Sequence, residues 1–412
     1  MTTTPPLTPK DKWRTLILLS LAELLGMAVW FSASAVVPAL TEIWGLNEGG
    51  RAWLTMSVQI GFVVGAFGSA ILNLADRMPA RWMFTGSAIL AGLVTGLIPL
   101  LAGGVSTAVS LRFLSGVFLA GVYPVGMKIM ATWTQKDRGL GIGLLVGALT
   151  VGSAAPHLLN ALGGVDNWEL VLYLAASLAI LGGVISLLFV WEGPYRTKTP
   201  PFNWKYAGAI LRQRGIVLAN LGYLGHMWEL FAMWTWFPVF IAASFKLSGV
   251  DPLWASVWSF AVIAIGGLGS AIAGKLADRY GRPQVITASL LVSGACSLAI
   301  GGLFGGSPAA LVILGLVWGF AVVADSAQFS AAVSELARRE YTGTALTLQT
   351  SLGFLLTLIT IRLIPTLQRL VGWEWAFSFL VFGPLVGIWA MAKLRVYQEG
   401  TGLERKKATS TG

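Results

Sequence analysis

Apolar stretches long enough to cross a bilayer recur along this chain from Leu16 to near Lys393, and the short gaps between them hold most of the Lys and Arg. One crossing takes roughly 20 apolar residues, so the pattern leaves little room for a soluble fold. Composition agrees, with 56% hydrophobic and only 11% charged residues, against about 25% charged in ordinary soluble domains. The net charge of +10 does not suggest nucleic acid, because the basic residues punctuate the gaps and form no patch interleaved with stacking aromatics. Cys296 is the one cysteine and lies inside an apolar run, which leaves no disulfide framework and no Cys-based metal site. No nucleophile-base constellation, phosphate loop or metal-ligand spacing is evident, so neither an enzyme nor a cofactor nor a metal is expected.

The spans are read as 16–38, 52–73, 83–102, 107–128, 139–162, 169–191, 216–243, 253–273, 284–304, 309–333, 341–364 and 375–393. The first is too long for the apolar core of a secretory signal and is kept as a span. With both termini in the cytoplasm of an inner-membrane protein, only Arg51, Lys246 and Arg369 fall outside and Arg112, Lys128 and Arg362 within spans; all other Lys and Arg face the cytoplasm. The longest connection carries Pro194, Pro200 and Pro201 with several basic residues, and it divides the chain six spans and six. The expected fold is therefore an all-α polytopic membrane protein of twelve transmembrane helices in two pseudo-symmetric six-helix bundles. The first bundle is 16–191, the linker 192–215 and the second bundle 216–394, between cytoplasmic segments 1–15 and 395–412. A repeat supports the division: Glu23, Leu24, Met27, Trp30 and Phe31 in span 1 recur as Glu229, Leu230, Met233, Trp236 and Phe237 in span 7, an offset of 206 residues. Trp13, Trp53, Trp168 and Trp191, near span ends, are read as interface anchors.

After span 8 the chain reads Gly274-Lys275-Leu276-Ala277-Asp278-Arg279-Tyr280-Gly281-Arg282. This resembles the loop motif of the major facilitator superfamily, carried between spans 2 and 3 and often again between spans 8 and 9. After span 2 the copy is degraded: Asp76, Arg77 and Arg81 remain, while Leu72 and Pro79 replace the two glycines. Such a loop can tie helices together on the cytoplasmic side, with the carboxylate near a helix terminus and Arg residues bridging to neighbours. Arg112-Phe113-Leu114-Ser115-Gly116 in span 4, with Tyr123-Pro124, Trp133 and Arg138-Gly139, is similar to anion:cation symporters and nitrate or cyanate permeases of that superfamily. In those proteins an Arg of span 4 serves substrate or proton coupling, although the acidic residue some organic-anion symporters carry soon afterwards is Leu119 or Ala120 here. Span 5, with Gly139, Gly141, Gly143, Gly147 and Gly152 before Pro156, partly resembles the glycine-rich motif of drug antiporters. It also reads simply as a small-residue packing face.

Few ionisable groups stand inside the spans: Glu23 on span 1, Arg112 on span 4, His226 and Glu229 on span 7, and Asp325 on span 10. A charge at the bilayer centre costs about 2.5–3.5 kcal/mol on insertion scales, so such groups face a cavity or a partner. The resemblance implies that spans 1, 4, 7 and 10 line the cavity. At about 100° per residue, Glu23 shares a helix face with Trp30, Glu229 with Trp236, and Arg112 with Tyr123. Helix rise sets Glu23 and Arg112 about 15 Å apart in depth. His226 precedes Glu229 by one turn and can share a proton with it. Gln328 follows Asp325 by one turn, and Gln349 on span 11 is placed with them; Lys128 is read as snorkelling.

These residues suggest proton-coupled alternating access. Glu23, Glu229, His226 and Asp325 are the candidate proton-coupling sites. Arg112, Trp30, Tyr123, Trp236, Gln328 and Gln349 are the candidate substrate-binding residues. The expected cargo is a small organic or inorganic anion moving with protons. Three acids against one Arg leave a proton-driven drug antiporter as an alternative, and a non-cycling membrane sensor as a second. The expected partners are the solute, protons and the lipid bilayer, with no nucleic acid, and the chain is expected to act as a monomer.

Overall fold

A computed structural model describes residues 9–134, 138–163, 167–195, 203–210, 212–338 and 342–400, and among them every regular element is helical. The chain divides into two compact units, Met1–Thr199 and Pro200–Gly412. Among the described residues, eleven helical segments are long and apolar enough to cross a membrane. In the first unit these are span 2, Glu48–Ile71; span 3, Ala80–Leu101; span 4, Val105–Ala131; span 5, Leu140–Gly163; and span 6, Trp168–Phe189. In the second they are span 7, Arg214–Leu247; span 8, Pro252–Tyr280; span 9, Arg282–Leu303; span 10, Pro308–Leu336; span 11, Thr342–Val371; and span 12, Trp373–Gly400. A short helix, Trp204–Ile210, precedes span 7.

Span 1 differs from the expected unbroken helix over 16–38. It is three pieces, Pro9–Met27, Ser32–Ala35 and Val37–Trp44. The first piece holds Lys10, Asp11, Lys12, Arg14 and Glu23, and its apolar continuation lies beyond a break at residues 28–31, so no single helix here has the length and apolarity of the others. Span 4 is also broken, between Val105–Leu119 and Tyr123–Ala131, where Gly121 and Val122 close tight turns onto Phe118 and Leu119. Pro124, lacking an N–H, sits in the first turn of the second piece, where a donor is not required. Span 10 breaks at Asp325, between Pro308–Ala324 and Ser326–Leu336. Span 7, by contrast, runs unbroken for 34 residues.

The same helix pairs pack in both units. Span 3 packs on span 6, span 2 on span 4, and span 1 on spans 5 and 6; correspondingly, span 9 packs on span 12, span 8 on span 10, and span 7 on spans 11 and 12. The span 2–4 and 8–10 contacts are close enough that a Cβ added at Gly116 would strike the Val58 carbonyl, and one at Gly319 the Val262 carbonyl. Small residues let helix backbones approach in this way without any hydrophobic force between them in lipid. Side-chain caps start spans 2, 6, 8 and 10: Asn47, Asn167, Asp251 and Ser307 accept from Gly50, Leu170, Leu253 and Ala310 N–H groups at 2.8, 3.2, 2.8 and 3.4 Å. Each cap satisfies one backbone donor that has no intrahelical partner. Trp13, Trp53 and Trp191 are exposed, whereas Trp168 is buried, edge-on to Trp44 at 5.6 Å, and is therefore a core residue instead of the expected anchor.

Candidate functional site

In the first unit Glu23 is fully buried, and neither carboxyl oxygen has a hydrogen-bond partner among the described residues. Gly126 of span 4 leaves room for it, since a Cβ there would approach Glu23 Oε2, and Phe84 of span 3 borders the same space. Tyr123, half-buried at the start of the second piece of span 4, is close enough to interact electrostatically with Glu23.

Arg112 is also fully buried, and four of its five N–H donors are used. Nη1 donates to the Val29 carbonyl at 2.6 Å and to Ser32 Oγ at 3.2 Å, Nη2 donates to the Trp30 carbonyl, and Nε donates to the Leu54 carbonyl at 3.3 Å. Three of these acceptors lie in or beside the break of span 1. The guanidinium thus supplies the donors that an unbroken helix would have offered, and Glu23 makes no ion pair with it. Trp30 contributes a carbonyl to this arrangement, while its ring packs on Phe62 at 5.1 Å. The shared helix faces expected for Glu23 with Trp30 and for Arg112 with Tyr123 do not exist, because the helical count is interrupted between the members of each pair. Glu229 and Trp236 do lie on one continuous helix.

In the second unit His226 and Glu229 turn to different partners. His226 Nδ1 lies 2.8 Å from Asp325 Oδ1, both side chains being buried, and the imidazole is flanked by Tyr223 and Phe329. Glu229 Oε1 accepts from Trp318 Nε1 at 2.6 Å, and Oε2 accepts from Ser293 Oγ at 2.9 Å. The expected pairing of His226 with Glu229 is thus replaced by a pairing with Asp325 at the break of span 10. Gln328 Oε1 accepts from Arg282 Nη1 at 2.6 Å, which turns that side chain towards the loop motif. Gln349 is buried, and among the described residues neither its amide oxygen nor its nitrogen has a hydrogen-bond partner. Trp236 is buried, with Nε1 donating to the Ile361 carbonyl at 2.8 Å.

The two loops are built differently. After span 8 the helix runs through Asp278 and Arg279 to Tyr280, turns at Gly281 and restarts at Arg282. Gly281 has φ of +92°, a conformation that favours glycine. Arg282 donates through Nε and Nη2 to Glu335 Oε1 at 3.0 and 2.7 Å, and it lies 3.9 Å from Asp278. Arg279 lies over the Tyr280 ring, and Gly274 is buried in span 8. After span 2 a left-handed Asn73 and the short helix Leu74–Arg77 replace that turn. Arg81 stacks on Trp191 at 3.9 Å, the Ala80 N–H donates to Glu192 Oε1 at 2.8 Å, and Arg77 is exposed. The side chains of Asp76, Arg138 and Gly139 lie outside the described residues.

Sequence reasoning passed over Trp318 and Ser293, which hold Glu229, and the buried polar residues Gln59, His157 and Asn160 of the first unit. A signal for His157 was present, since it is one of only two histidines and sits inside an apolar run. Nothing in the sequence marks Ser293 or Trp318 as neighbours of a carboxylate. No cluster of metal-ligating residues occurs among the described residues.

Buried acids and a histidine on spans 1, 7 and 10, within repeated six-helix packing, define a polytopic membrane transporter. The chain belongs to the Major Facilitator Superfamily, whose family model matches residues 19–273 and 249–411. That membership sets it among transporters and apart from enzymes. It is 23% identical over 428 residues to the 4-hydroxybenzoate transporter PcaK of Pseudomonas putida, covering 93% of this chain and 86% of that one. To the protein of the same description from Pseudomonas aeruginosa it is 29% identical, over 44% of this chain and only 39% of the relative. A putative tartrate transporter of Agrobacterium vitis is 26% identical, over 65% and 67% of the two chains. Among solved structures, the nucleoside transporter NupG superposes with a TM-score of 0.69 at 13% identity, over 92% of this chain and 99% of that one, a likeness of fold alone.

Proposed function

We propose that this protein is a proton-coupled transporter of small organic carboxylates, working by alternating access in the inner membrane as a monomer with both termini in the cytoplasm. The observation that carries the coupling is Glu23, buried with no hydrogen-bond partner among the described residues. An ionised carboxylate there would have neither water nor a counter-charge, whereas the protonated acid has no charge to solvate. Taking up and releasing a proton is thus what lets this side chain pass between a closed interior and an aqueous opening. The His226–Asp325 pair is a second proton site in the same scheme, and Glu229, already held by two donors, a third. The cargo class rests on relatives described as transporters of 4-hydroxybenzoate, tartrate and hexuronate.

The test is uptake into liposomes reconstituted with the full chain, using 4-hydroxybenzoate, tartrate and glucuronate under an imposed pH gradient. Accumulation that collapses with a protonophore is the expected result. Flux of lipophilic cations alone, outward against protons, would replace this reading with the antiporter. Carboxylate binding without flux would replace it with a sensor.

A further inference from the structure

Span 3 begins at Ala80 and span 6 ends at Phe189, and each is 22 residues long. At 1.5 Å per residue that is about 33 Å, close to the roughly 30 Å hydrocarbon layer. Arg81 and Trp191 therefore stand at span ends, where lipid headgroups begin. The chain leaving span 6 is strapped across this end of the first unit. Trp133 Nε1 donates to the Trp191 carbonyl at 2.7 Å, the Gly193 N–H to Thr132 Oγ1 at 2.6 Å, and the Tyr195 N–H to the Thr132 carbonyl at 3.0 Å. Glu192 Oε1 accepts from the Ala80 N–H at 2.8 Å. A Cβ on Gly193 would strike the Thr132 carbonyl, so the strap needs glycine there. Trp191 is thus fixed through its backbone while its side chain stays exposed at 56%.

Arg81 lies on that ring. Its guanidinium carbon is 3.9 Å from the Trp191 ring centroid and 5.7 Å from that of Trp82, which is 51% exposed. Stacking engages the face of a guanidinium and leaves the N–H groups along its edge. Those donors make no hydrogen bond or ion pair with any described residue. In the second unit, by contrast, Arg282 of the loop after span 8 spends its donors on Glu335 and Gln328. The strap's own carboxylate, Glu192, is turned to the Ala80 N–H. Arg77, exposed four residues before Arg81, adds a second positive charge. The adjoining outward faces are apolar, with Leu90 and Leu93 exposed on span 3 and Leu188 and Phe189 on span 6.

We propose that Arg81, seated on Trp191 and Trp82, binds the phosphodiester of an anionic phospholipid whose acyl chains lie along spans 3 and 6. Two N–H groups of one guanidinium match two phosphate oxygens, and the rigid aromatic seat holds that edge in place. A zwitterionic headgroup fits less well, because it brings an ammonium to a site with two arginines whose neighbouring carboxylate is already engaged. The bound lipid braces the strap. Through Thr132 and Trp133 it braces the end of the second piece of span 4, whose Gly126 makes room for Glu23. This site is independent of the cargo.

The experiment is a melting titration of the purified, delipidated full chain in detergent with phosphatidylglycerol, phosphatidylethanolamine, phosphatidylcholine and inorganic phosphate. Native mass spectrometry counts the lipid retained on folded protein, so a variant that melts earlier still reports. Phosphatidylglycerol should stabilise wild type at the lowest concentration and stay bound, and inorganic phosphate should do neither. R81Q should need at least about fivefold more phosphatidylglycerol, the worth of one basic residue at a membrane surface, and R81K should fall between. W191F should bind as wild type does, whereas W191L, which keeps the strap's backbone bonds, should weaken binding about two- to fivefold. Equal binding of phosphatidylglycerol by wild type and R81Q would remove Arg81 from the site. Equal action of the zwitterionic lipids would overturn the anionic class. Stabilisation by inorganic phosphate at the same concentration as the lipid would replace the phospholipid with a soluble anion. Each of these failures leaves the transport reading standing.

Discussion

Span 1 and span 7 share a sequence pattern, yet one is broken and the other is not. Four residues before the close-approach Gly116 of span 4 stands Arg112, whose donors hold the Val29 and Trp30 carbonyls of the break. Four residues before the matching Gly319 of span 10 stands Gly315, and the ring of Phe237 packs against it. With no donor there to satisfy freed carbonyls, span 7 keeps its own hydrogen bonds through Trp236 and Phe237. The two acids differ in the same sense. Glu23 has no hydrogen-bond partner among the described residues, while Glu229 is gripped by Trp318 and Ser293. Duplication preserved the positions of the acids, and the divergence of neighbouring residues gave one half a discontinuous helix with an unheld carboxyl and the other a rigid helix with a held one.

Four substitutions would break or sharpen this contrast. The largest effect is expected for Glu23→Gln, which should lower proton-driven accumulation by about 100-fold, the upper range for losing a proton-transfer group being 10²–10⁴. Counterflow exchange without a gradient should persist, and Glu229→Gln should lose far less accumulation. Equal losses in the two variants would erase the asymmetry. Next is Arg112→Ala, which takes the donor from the buried Trp30 carbonyl, while the Val29 carbonyl keeps Ser32 Oγ at 2.9 Å, and should destabilise by about 1–3 kcal/mol. Thermal unfolding in detergent would measure it, and a smaller change would mean that span 1 re-forms a continuous helix as span 7 does.

Ser293→Ala removes one donor from Glu229 and should cost about 1–3 kcal/mol, read in the same melts. Adding Glu229→Gln should change that penalty, because the pair is in contact. The matching region of the first unit has no such pair to couple. A comparable effect, about 1–3 kcal/mol, is expected for Gly281→Ala, which puts a Cβ on a backbone of φ +92° and ψ 148° that only glycine adopts readily. Pro79→Gly in the other loop should not show a similar gain or loss, since no positive-φ glycine turn exists there.

Much of the architecture was legible beforehand. Apolar run length, the distribution of Lys and Arg and the Glu23/Glu229 repeat gave a polytopic α-helical chain built of two halves, because bilayer thickness and charge placement act on the sequence directly. The ionisable residues that matter could also be listed, since so few occur in the spans. Their partners could not. Helical phase counted across residues 28–31 and 120–122 fails because backbone breaks reset it, and no local pattern announces a break that a distant Arg satisfies. His226 was assigned to Glu229 by spacing, yet Asp325 on another helix lies 2.8 Å away.

By itself, then, the sequence determined an all-helical polytopic chain with scarce charge in its apolar runs, which follows from the transfer of side chains between water and lipid. Only the tertiary structure decided that Arg112 is spent on carbonyls of span 1, and that Glu229 is held by Trp318 and Ser293 while Glu23 has no hydrogen-bond partner among the described residues. Those outcomes depend on which polar atoms of different helices meet within about 3 Å, the range in which a hydrogen bond forms.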